Sequence, residues 1–187
     1  MAKKYVEKGL TGLVRSRPVI IITTLHPDGT VNAGTFGAYT NLSSDEIGIA
    51  IGKPSHTYKN IKRTGEFAVN VVTRSIAAAS EICAEEVPPS ESEIRNAGLT
   101  TELPRKISVP IIRESVSSIE CRFERELEIG YHSFVIGRCV AGHIEESVID
   151  RSGGLDVVKA QAIFNIRYPE PLYSVLSEPF RVEKKRR

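Results

Sequence analysis

The chain has 187 residues, of which 41% are hydrophobic and 26% are charged, a composition typical of one compact globular domain. Its net charge of +2 is too small to indicate a nucleic-acid partner. The longest apolar runs, such as residues 19–22, are too short to span a bilayer, and the N-terminal residues lack the hydrophobic segment of a secretion signal. We therefore expect a cytoplasmic protein with no nucleic-acid or membrane partner.

The first half of the chain predicts a β-hairpin. Residues 17–26 are apolar and β-branched, the turn sequence PDGT follows, and a second strand-like run covers residues 31–40. This second run has little side-chain bulk, because it contains Ala33, Gly34, Gly37 and Ala38. Such small residues indicate either the close approach of a ligand or another backbone, or a bulge or barrel corner.

Four further elements are predicted before residue 87. Residues 46–51 predict a strand, and a helix follows that begins at Ser55 or Thr57 and ends near Gly65. Residues 66–72 predict another strand. Residues 75–86 are rich in helix-forming residues and predict a second helix.

The second half predicts an irregular excursion and then a long hairpin. Residues 87–113 are interrupted by prolines and predict at most one short helix, so we expect a functional loop, a lid or an arm that contacts a partner. Residues 114–130 and 134–150 alternate like two tightly joined strands. The elements together favour a β-dominated single domain over residues 1–187, either a barrel or a sandwich.

The cysteines and histidines argue against disulfide and metal sites. Cys83, Cys121 and Cys139 form no CxxC pair and are odd in number, which is typical of a reducing compartment. Cys121 and Cys139 lie in strand-like runs, where buried and inert thiols are expected. The four histidines show neither HxH nor HExxH spacing, so no metal site is predicted. The basic tail at 183–187 is expected to be a solvated terminus, or an accessory contact.

The sequence KPSHTYKN at residues 53–60 has two interpretations. The start of a helix leaves backbone N–H groups unpaired and carries a partial positive charge, so it suits a phosphate. Ser55 and Thr57 can donate hydroxyl groups, and His56 and Asn60 share one helix face. Taken alone, this residue chemistry favours a helix cap over an anion site.

The neighbouring sequence strengthens the anion interpretation. Lys53 and Lys59 add positive charge, and the small-residue strand at 33–38 precedes them in the chain. Such a strand can lie against a flat ring. A flat ring together with a phosphate suggests a phosphorylated aromatic cofactor.

The order of these features resembles the flavin reductase-like family of FMN-binding split barrels, which includes flavoredoxins and ferric reductases. The resemblance rests on RPVIIITTLHPDGTVNAGTFGAYTNLS, on IAIGKPSHTYKNIKRTGEFAVNVV and on GYHSFVIGRCVAGHIE. The chain departs from the family pattern at Gly34, where a proline is common, and at His56, where an acidic residue is common. After residue 150 the likeness is weak.

The resemblance implies a mainly β fold, a six-stranded Greek-key split β-barrel with one or two inserted helices. Its core would cover roughly residues 14–150, followed by a C-terminal extension at 151–187. The resemblance also implies a homodimer with FMN near the subunit interface. The acceptor of electrons would be a small molecule or a protein.

The resemblance also implies a set of cofactor contacts. Ser55, Thr57 and Asn60 would hold the phosphate, with Lys53 and His56 nearby. The isoalloxazine would lie along Thr35, Phe36, Gly37, Ala38, Tyr39 and Thr40, near Asn32 and His132. The alternatives are that Asn32 ties a turn, that Phe36 and Tyr39 pack in the core or a dimer, and that His132 is an exposed turn residue.

The expected function is an oxidoreductase that passes electrons from NADH or NADPH through FMN to free flavin, a ferric complex or a protein carrier. Because FMN supplies the chemistry, no acid–base residue is required and no catalytic residue is predicted. The alternatives are an FMN-binding electron carrier, store or sensor without turnover, and a partner of an FMN-dependent oxidase or monooxygenase.

Overall fold

The fold is taken from a computed structural model that describes residues 3–14, 17–167 and 169–182. The basic tail at 183–187 lies outside the described residues. Seven strands form one antiparallel sheet in the order β3 (Val31–Phe36), β2 (Ile20–Leu25), β6 (Glu66–Val71), β9 (Ser117–Ile129), β10 (His132–Ile144), β5 (Glu46–Gly52) and β4 (Tyr39–Asn41). Within the described part, no helix has the length and apolar character needed to cross a bilayer.

The sheet is curled because its two edge strands are neighbours in the chain. β3 and β4 lie at opposite edges, and only Gly37 and Ala38 separate them. Six spacings of about 4.8 Å would place the edges of a flat sheet roughly 29 Å apart, whereas this link spans roughly 10 Å. The sheet must therefore bend until its edges approach. The predicted fold class is confirmed, and the sheet has seven strands because residues 31–40 are divided at this corner.

Two smaller sheets flank the barrel. β11 (Ile163–Asn165) pairs with both β1 (Arg17–Pro18) and β12 (Tyr173–Val175). The amide of Ile163 also donates to the carbonyl of Val72, just after β6. The segment after residue 150 is thereby attached to the barrel through backbone hydrogen bonds.

The core occupies both faces of the central strands. Ile20 and Ile22 of β2 pack inside the barrel with Phe67 and the isoleucines of β5, whereas Ile21 packs on the outer face. Strand β2 is buried on both faces, which explains why its sequence is continuously apolar instead of alternating. The outer face is covered by the helical segment that follows β6.

The three α-helices found among the described residues are short. α1 (His56–Thr64) begins at the cap residue Ser55 and ends at Gly65, whose φ of 72° is accessible to glycine. The predicted helix at 75–86 is shorter than expected: a 3-10 turn leads into α2 (Ala77–Ile82). Glu85 and Glu86 would place negative charge at the negative end of a longer helix, which is unfavourable.

The excursion contains α3 (Glu93–Asn96), as the one short helix predicted, and a small ribbon of β7 (Thr101–Glu102) and β8 (Ile111–Ile112). Glu120, buried on β9, anchors the excursion by accepting hydrogen bonds from the amides of residues 105–107. It also pairs with His143 at 2.6 Å. Burial opposes the ionised form, but these donors hold the pKa of the Glu120 carboxyl below its ordinary value.

Gly137 in β10 allows the Phe67 ring to pack closely against this strand inside the barrel, and substitution of this glycine tests the packing. A Cβ added there would lie 2.3 Å from the Phe67 ring, whereas one at Gly142, in the same strand, would meet its nearest atom at 4.0 Å. We expect Gly137→Ala to lower the free energy of unfolding by about 1–3 kcal/mol, because the core must be displaced. Urea denaturation measures it, with Gly142→Ala as the control. Equal losses in both variants would contradict this account of the packing.

Candidate functional site

A cleft of about 290 Å³ lies where the start of α1, strand β3 and the segment after α2 meet. A second cavity, of about 340 Å³, extends from it toward the barrel corner. The two cavities share Thr35, Phe36 and Ala84, so they form one continuous groove along the outer edge of β3.

The first end of the groove is built by the start of α1. The Ser55 hydroxyl accepts a hydrogen bond from the Tyr58 amide at 3.2 Å and donates to the Gly52 carbonyl at 2.8 Å. The predicted helix cap is therefore formed. The amides of His56 and Thr57 have no acceptor among the described residues, and both residues line the cleft. Two backbone donors at the positive end of a helix thus remain for an anion.

A buried polar network supports this helix start from behind. The Asn32 side-chain amide donates to the hydroxyls of Thr24 at 3.0 Å and Thr57 at 3.1 Å. The Asn60 amide donates to Thr24 at 3.2 Å and contacts Nδ1 of His26 at 3.4 Å. The Thr57 oxygen is used as an acceptor, while its own hydrogen stays available to a ligand.

His26 and His56 are stacked edge to face, with ring centroids 5.1 Å apart. Burial, and then the neighbouring charge of His56, lower the pKa of His26, so its neutral form is favoured. Its Nε2 atom is buried and has no hydrogen-bond partner among the described residues. His56 itself lines the cleft in front of this buried ring.

Position 34 in β3 must be a glycine because the side chains of Thr57 and Phe36 lie against the strand there. A Cβ at this position would lie 2.9 Å from Thr57 Oγ1 and 2.9 Å from the Phe36 ring. The absence of a side chain at Gly34 therefore lets Thr57 reach Asn32. Gly37, in contrast, lies at the barrel corner, as the second interpretation of the small-residue strand predicts. The close approach at Gly34 is made by side chains instead of the ligand or backbone that the first interpretation named.

The outer edge of β3 is partly covered by the excursion. The hydroxyl of Ser92 donates to the Val31 carbonyl at 2.8 Å, and the amide of Ala33 donates to the Glu93 carboxylate at 3.0 Å. Residues 31, 33 and 35 face this edge, because the alternate residues pair with β2. The amide of Thr35 finds no partner among the described residues and faces the groove.

Glu93 is an acid that sequence reasoning missed. It is 3% exposed, lines the cleft and reaches it from α3. Burial raises the pKa of its carboxyl, against the lowering effect of the Ala33 amide. The neutral carboxyl is therefore favoured more than in an ordinary glutamate, which reduces repulsion of an anion in the same cleft.

Eight of the predicted cofactor contacts line the groove. The first cavity contains Asn32, Thr35, Phe36, Ser55, His56 and Thr57, and the second adds Gly37 and Ala38. Phe36 also packs against the barrel core, so the cofactor and core interpretations of this residue coexist.

The other five predicted contacts line neither cavity. Tyr39 packs against the barrel core, and burial raises its pKa to about 12. Thr40 is exposed, and the Lys53 ammonium lies 2.8 Å from the Glu128 carboxylate. Asn60 belongs to the buried network. His132 is exposed and its ring contacts that of Tyr131.

Several residues of the groove gave no signal in the sequence. Arg17, Asn165 and Tyr173 line the second cavity and come from the flanking three-stranded sheet. Tyr173 donates to Glu81 of α2, which closes the wall. Because the pairing of β1 with β11 joins distant segments, local sequence patterns do not predict that these residues meet. Among the described residues there is no group of side chains suited to hold a metal ion.

Comparison with known proteins identifies relatives of this chain. The family model described as a flavin reductase like domain matches residues 15–159. A flavin reductase (NADH) from Kitasatospora aureofaciens is 31% identical over 131 residues, which cover 66% of this chain and 64% of that protein.

Two solved structures share the fold. Component B of nitrilotriacetate monooxygenase from Bacillus cereus superposes with a TM-score of 0.88 at 26% identity, covering 97% of this chain and 100% of that chain. Flavoredoxin of Desulfovibrio vulgaris superposes with a TM-score of 0.85 at 19% identity, covering 97% of each chain. The second likeness shows the fold alone.

The raised pKa of Glu93 predicts a pH-dependent stability. Between the ordinary value of 4.5 and its raised value, the folded protein binds more protons at this site than the unfolded chain, so stability falls as pH rises. Glu93→Gln keeps an acceptor for the Ala33 amide but cannot ionise. We expect its melting temperature relative to the wild type to increase from about pH 4 to about pH 8.

Thermal melts of both proteins across this pH range measure the effect. Glu85→Gln, at an exposed position on the cleft rim, is the matched control and should show no such trend. If the difference in melting temperature between Glu93→Gln and the wild type stayed constant with pH, this result would contradict the raised pKa of Glu93.

Proposed function

The chain belongs to the flavin reductase-like family, and we propose that it is an FMN-dependent oxidoreductase that takes electrons from NADH or NADPH. The family relationship supports a flavin-related oxidoreductase, while the donor and the acceptor are part of our proposal. The observation that carries it is the continuous groove, with unpaired helix amides at one end and a small-residue corner at the other.

The first end of the groove fits a phosphate. The amides of His56 and Thr57 and the remaining hydroxyl hydrogen of Thr57 are donors that converge on the cleft. We propose that these groups, together with the His56 ring, hold the FMN phosphate. Asn60 acts behind them, because its amide donates to Thr24 and contacts His26.

The second end fits a flat ring. Gly37 and Ala38 have little side-chain bulk and lie next to the Phe36 ring. The Thr35 amide is an unused donor on the same edge. We propose that the isoalloxazine lies along this edge and that backbone groups orient it. Arg17, Asn165 and Tyr173 form the facing wall.

When bound, FMN supplies the acceptance of a hydride and the release of electrons. The described residues of the chain supply binding, orientation and partial exclusion of water. The raised pKa of Glu93 lets it stand beside an anion without full charge repulsion. No residue of the groove is required to transfer a proton.

A separate oxygenase is a second candidate acceptor. It is supported by the likeness to nitrilotriacetate monooxygenase component B, which extends over 97% of this chain at 26% identity. In that case the reduced flavin would leave the groove and be used by the oxygenase.

The homodimer also stays a proposal. It is supported by the exposed side chains of Leu127, Ile129 and Tyr131 near the cleft. Light scattering of the purified protein would test it.

Reduction by nicotinamides tests the function directly. Purified protein loaded with FMN should lose its visible flavin absorbance when NADH or NADPH is added without oxygen, and it should regain it with an acceptor. Retained colour would exclude turnover with these donors and favour an electron carrier, store or sensor. Failure to bind FMN would exclude both functions.

A comparison of FMN with riboflavin tests the phosphate site. His56→Ala removes one proposed phosphate contact, so we expect about tenfold weaker FMN binding with little change for riboflavin, since a hydrogen bond to a charged group is worth roughly 1.5–3 kcal/mol. Lys59→Ala, an exposed position on the same helix, is the control and should change either affinity less. Fluorescence titration gives both constants. An equal loss for the two flavins would show that His56 does not contact the phosphate.

A further inference from the structure

Two cysteines outside the groove face each other across neighbouring strands. Cys121 of β9 and Cys139 of β10 are direct partners in the antiparallel register. Both are free thiols, as is Cys83. The sequence predicts that Cys121 and Cys139 are buried and inert, whereas the structure pairs them across two strands and leaves Cys139 partly exposed.

The backbone hydrogen bonds show which kind of cross-strand pair this is. The amide of Cys139 donates to the Asp45 carbonyl, on the β5 side of β10. Cys121 is paired with Phe67, and the amide of Phe123, two residues on, donates to Gly65, on the β6 side of β9. Both cysteines therefore direct their backbone groups away from each other and form a non-hydrogen-bonded pair.

A regular pair of this type has the geometry that a disulfide needs, and the register of β9 and β10 is unbroken from Gly137 to Cys139, with shifts before Gly137 and after Cys139. In a non-hydrogen-bonded antiparallel pair the Cα atoms lie about 4.5 Å apart and the side chains approach closely. Disulfides require a Cα separation of about 4.4–6.8 Å. Both side chains also point to the same face, since both pack with the barrel cluster around Phe67 and Val135.

The two thiols differ in access. Cys121 is fully buried, whereas Cys139 is partly exposed, so an oxidant reaches Cys139 first. The neighbouring Cys121 thiol lowers the pKa of Cys139, whereas the pKa of Cys121 is raised by its pairing with Cys139 and by burial, so Cys139 ionises more readily of the two. Cys83 is buried in a different cluster, and burial raises its pKa to about 12.

We propose that Cys121 and Cys139 form a reversible cross-strand disulfide when the protein meets a hydroperoxide. The Cys139 thiolate attacks the terminal peroxide oxygen and the O–O bond breaks, which forms a sulfenic acid and releases hydroxide from hydrogen peroxide or an alkoxide from an organic hydroperoxide. The Cys121 sulfur then attacks the Cys139 sulfur, and the S–O bond breaks as the S–S bond forms. The sulfenic oxygen leaves as water with the proton of the Cys121 thiol. Two thiols are oxidised by two electrons, one peroxide is reduced, and a dithiol restores the reduced pair.

The pair is remote from the groove. Cys139 is bonded at Asp45, beside the first residue of β5, whereas the first groove residue on this strand is Ala50, in the second cavity. Five residues of strand extend about 17 Å. The disulfide can therefore be tested without relying on flavin binding or on the proposed function.

Tryptic digestion separates the three cysteines, which makes the test direct. Cys83, Cys121 and Cys139 fall in the separate peptides 75–95, 114–122 and 139–151. The full chain is treated with hydrogen peroxide, denatured, alkylated and digested without reductant. We expect the peptides 114–122 and 139–151 to be joined, the number of alkylated cysteines to fall from three to one, and dithiothreitol to reverse both changes.

Single variants provide the controls. Cys83→Ser should still form the joined peptide, because Cys83 takes no part. Cys139→Ser should keep Cys121 alkylated after the same treatment. Absence of the joined peptide in the wild type overturns the proposal, whether all three thiols survive or Cys139 is oxidised beyond the sulfenic acid. A link found only between two molecules on non-reducing electrophoresis would also overturn it.

Discussion

Gly37 and Ala38 join two strands that lie at opposite edges of the same sheet, and the architecture depends on this short link. A seven-stranded sheet with such a connection cannot stay flat, so it curls and encloses Phe67 and the isoleucines of β5. The same corner then forms one wall of the groove. The constraint that closes the barrel therefore also positions the surface proposed to carry the flavin ring.

The start of α1 combines stability and binding. Ser55 satisfies one helix amide, while the next amides toward the start of the helix remain open to the cleft. Thr57 and Asn60 belong to a buried network with Thr24, His26 and Asn32, so their substitution would disturb folding as well as any ligand contact. The capping and phosphate interpretations of residues 53–60 are therefore compatible, because the Ser55 hydroxyl caps the helix while other backbone amides of the same helix start remain open to the cleft.

Local patterns predicted most of the barrel, because hairpins and helix caps are encoded by adjacent residues. The helix that follows Ser55 and the long pair β9 and β10 are confirmed, and the hairpin predicted over residues 17–40 is confirmed for β2 and β3. Its outer parts were wrong, because residues 17–18 pair with β11 and residues 39–40 pair with β5. The wall formed by β1, β11 and β12 was not predicted. The pairing of β1 with β11 joins residues more than a hundred positions apart, and β11 and β12 are short strands in a segment interrupted by prolines. Glu93 was missed for a similar reason: only the folded excursion brings this acid against the edge of β3. The pairing of Cys121 with Cys139 likewise depends on strand register, which composition and spacing do not reveal.

The pairing of β11 with β1 has a consequence for how the protein is made. Arg17 is synthesised long before its neighbours Asn165 and Tyr173 in the second cavity. The barrel strands are complete at Ile144, so the core can form while this wall is still absent. The full groove therefore exists only after Tyr173 has left the ribosome. A chain without β11 and β12 would keep the strands of the barrel but lose one side of the groove.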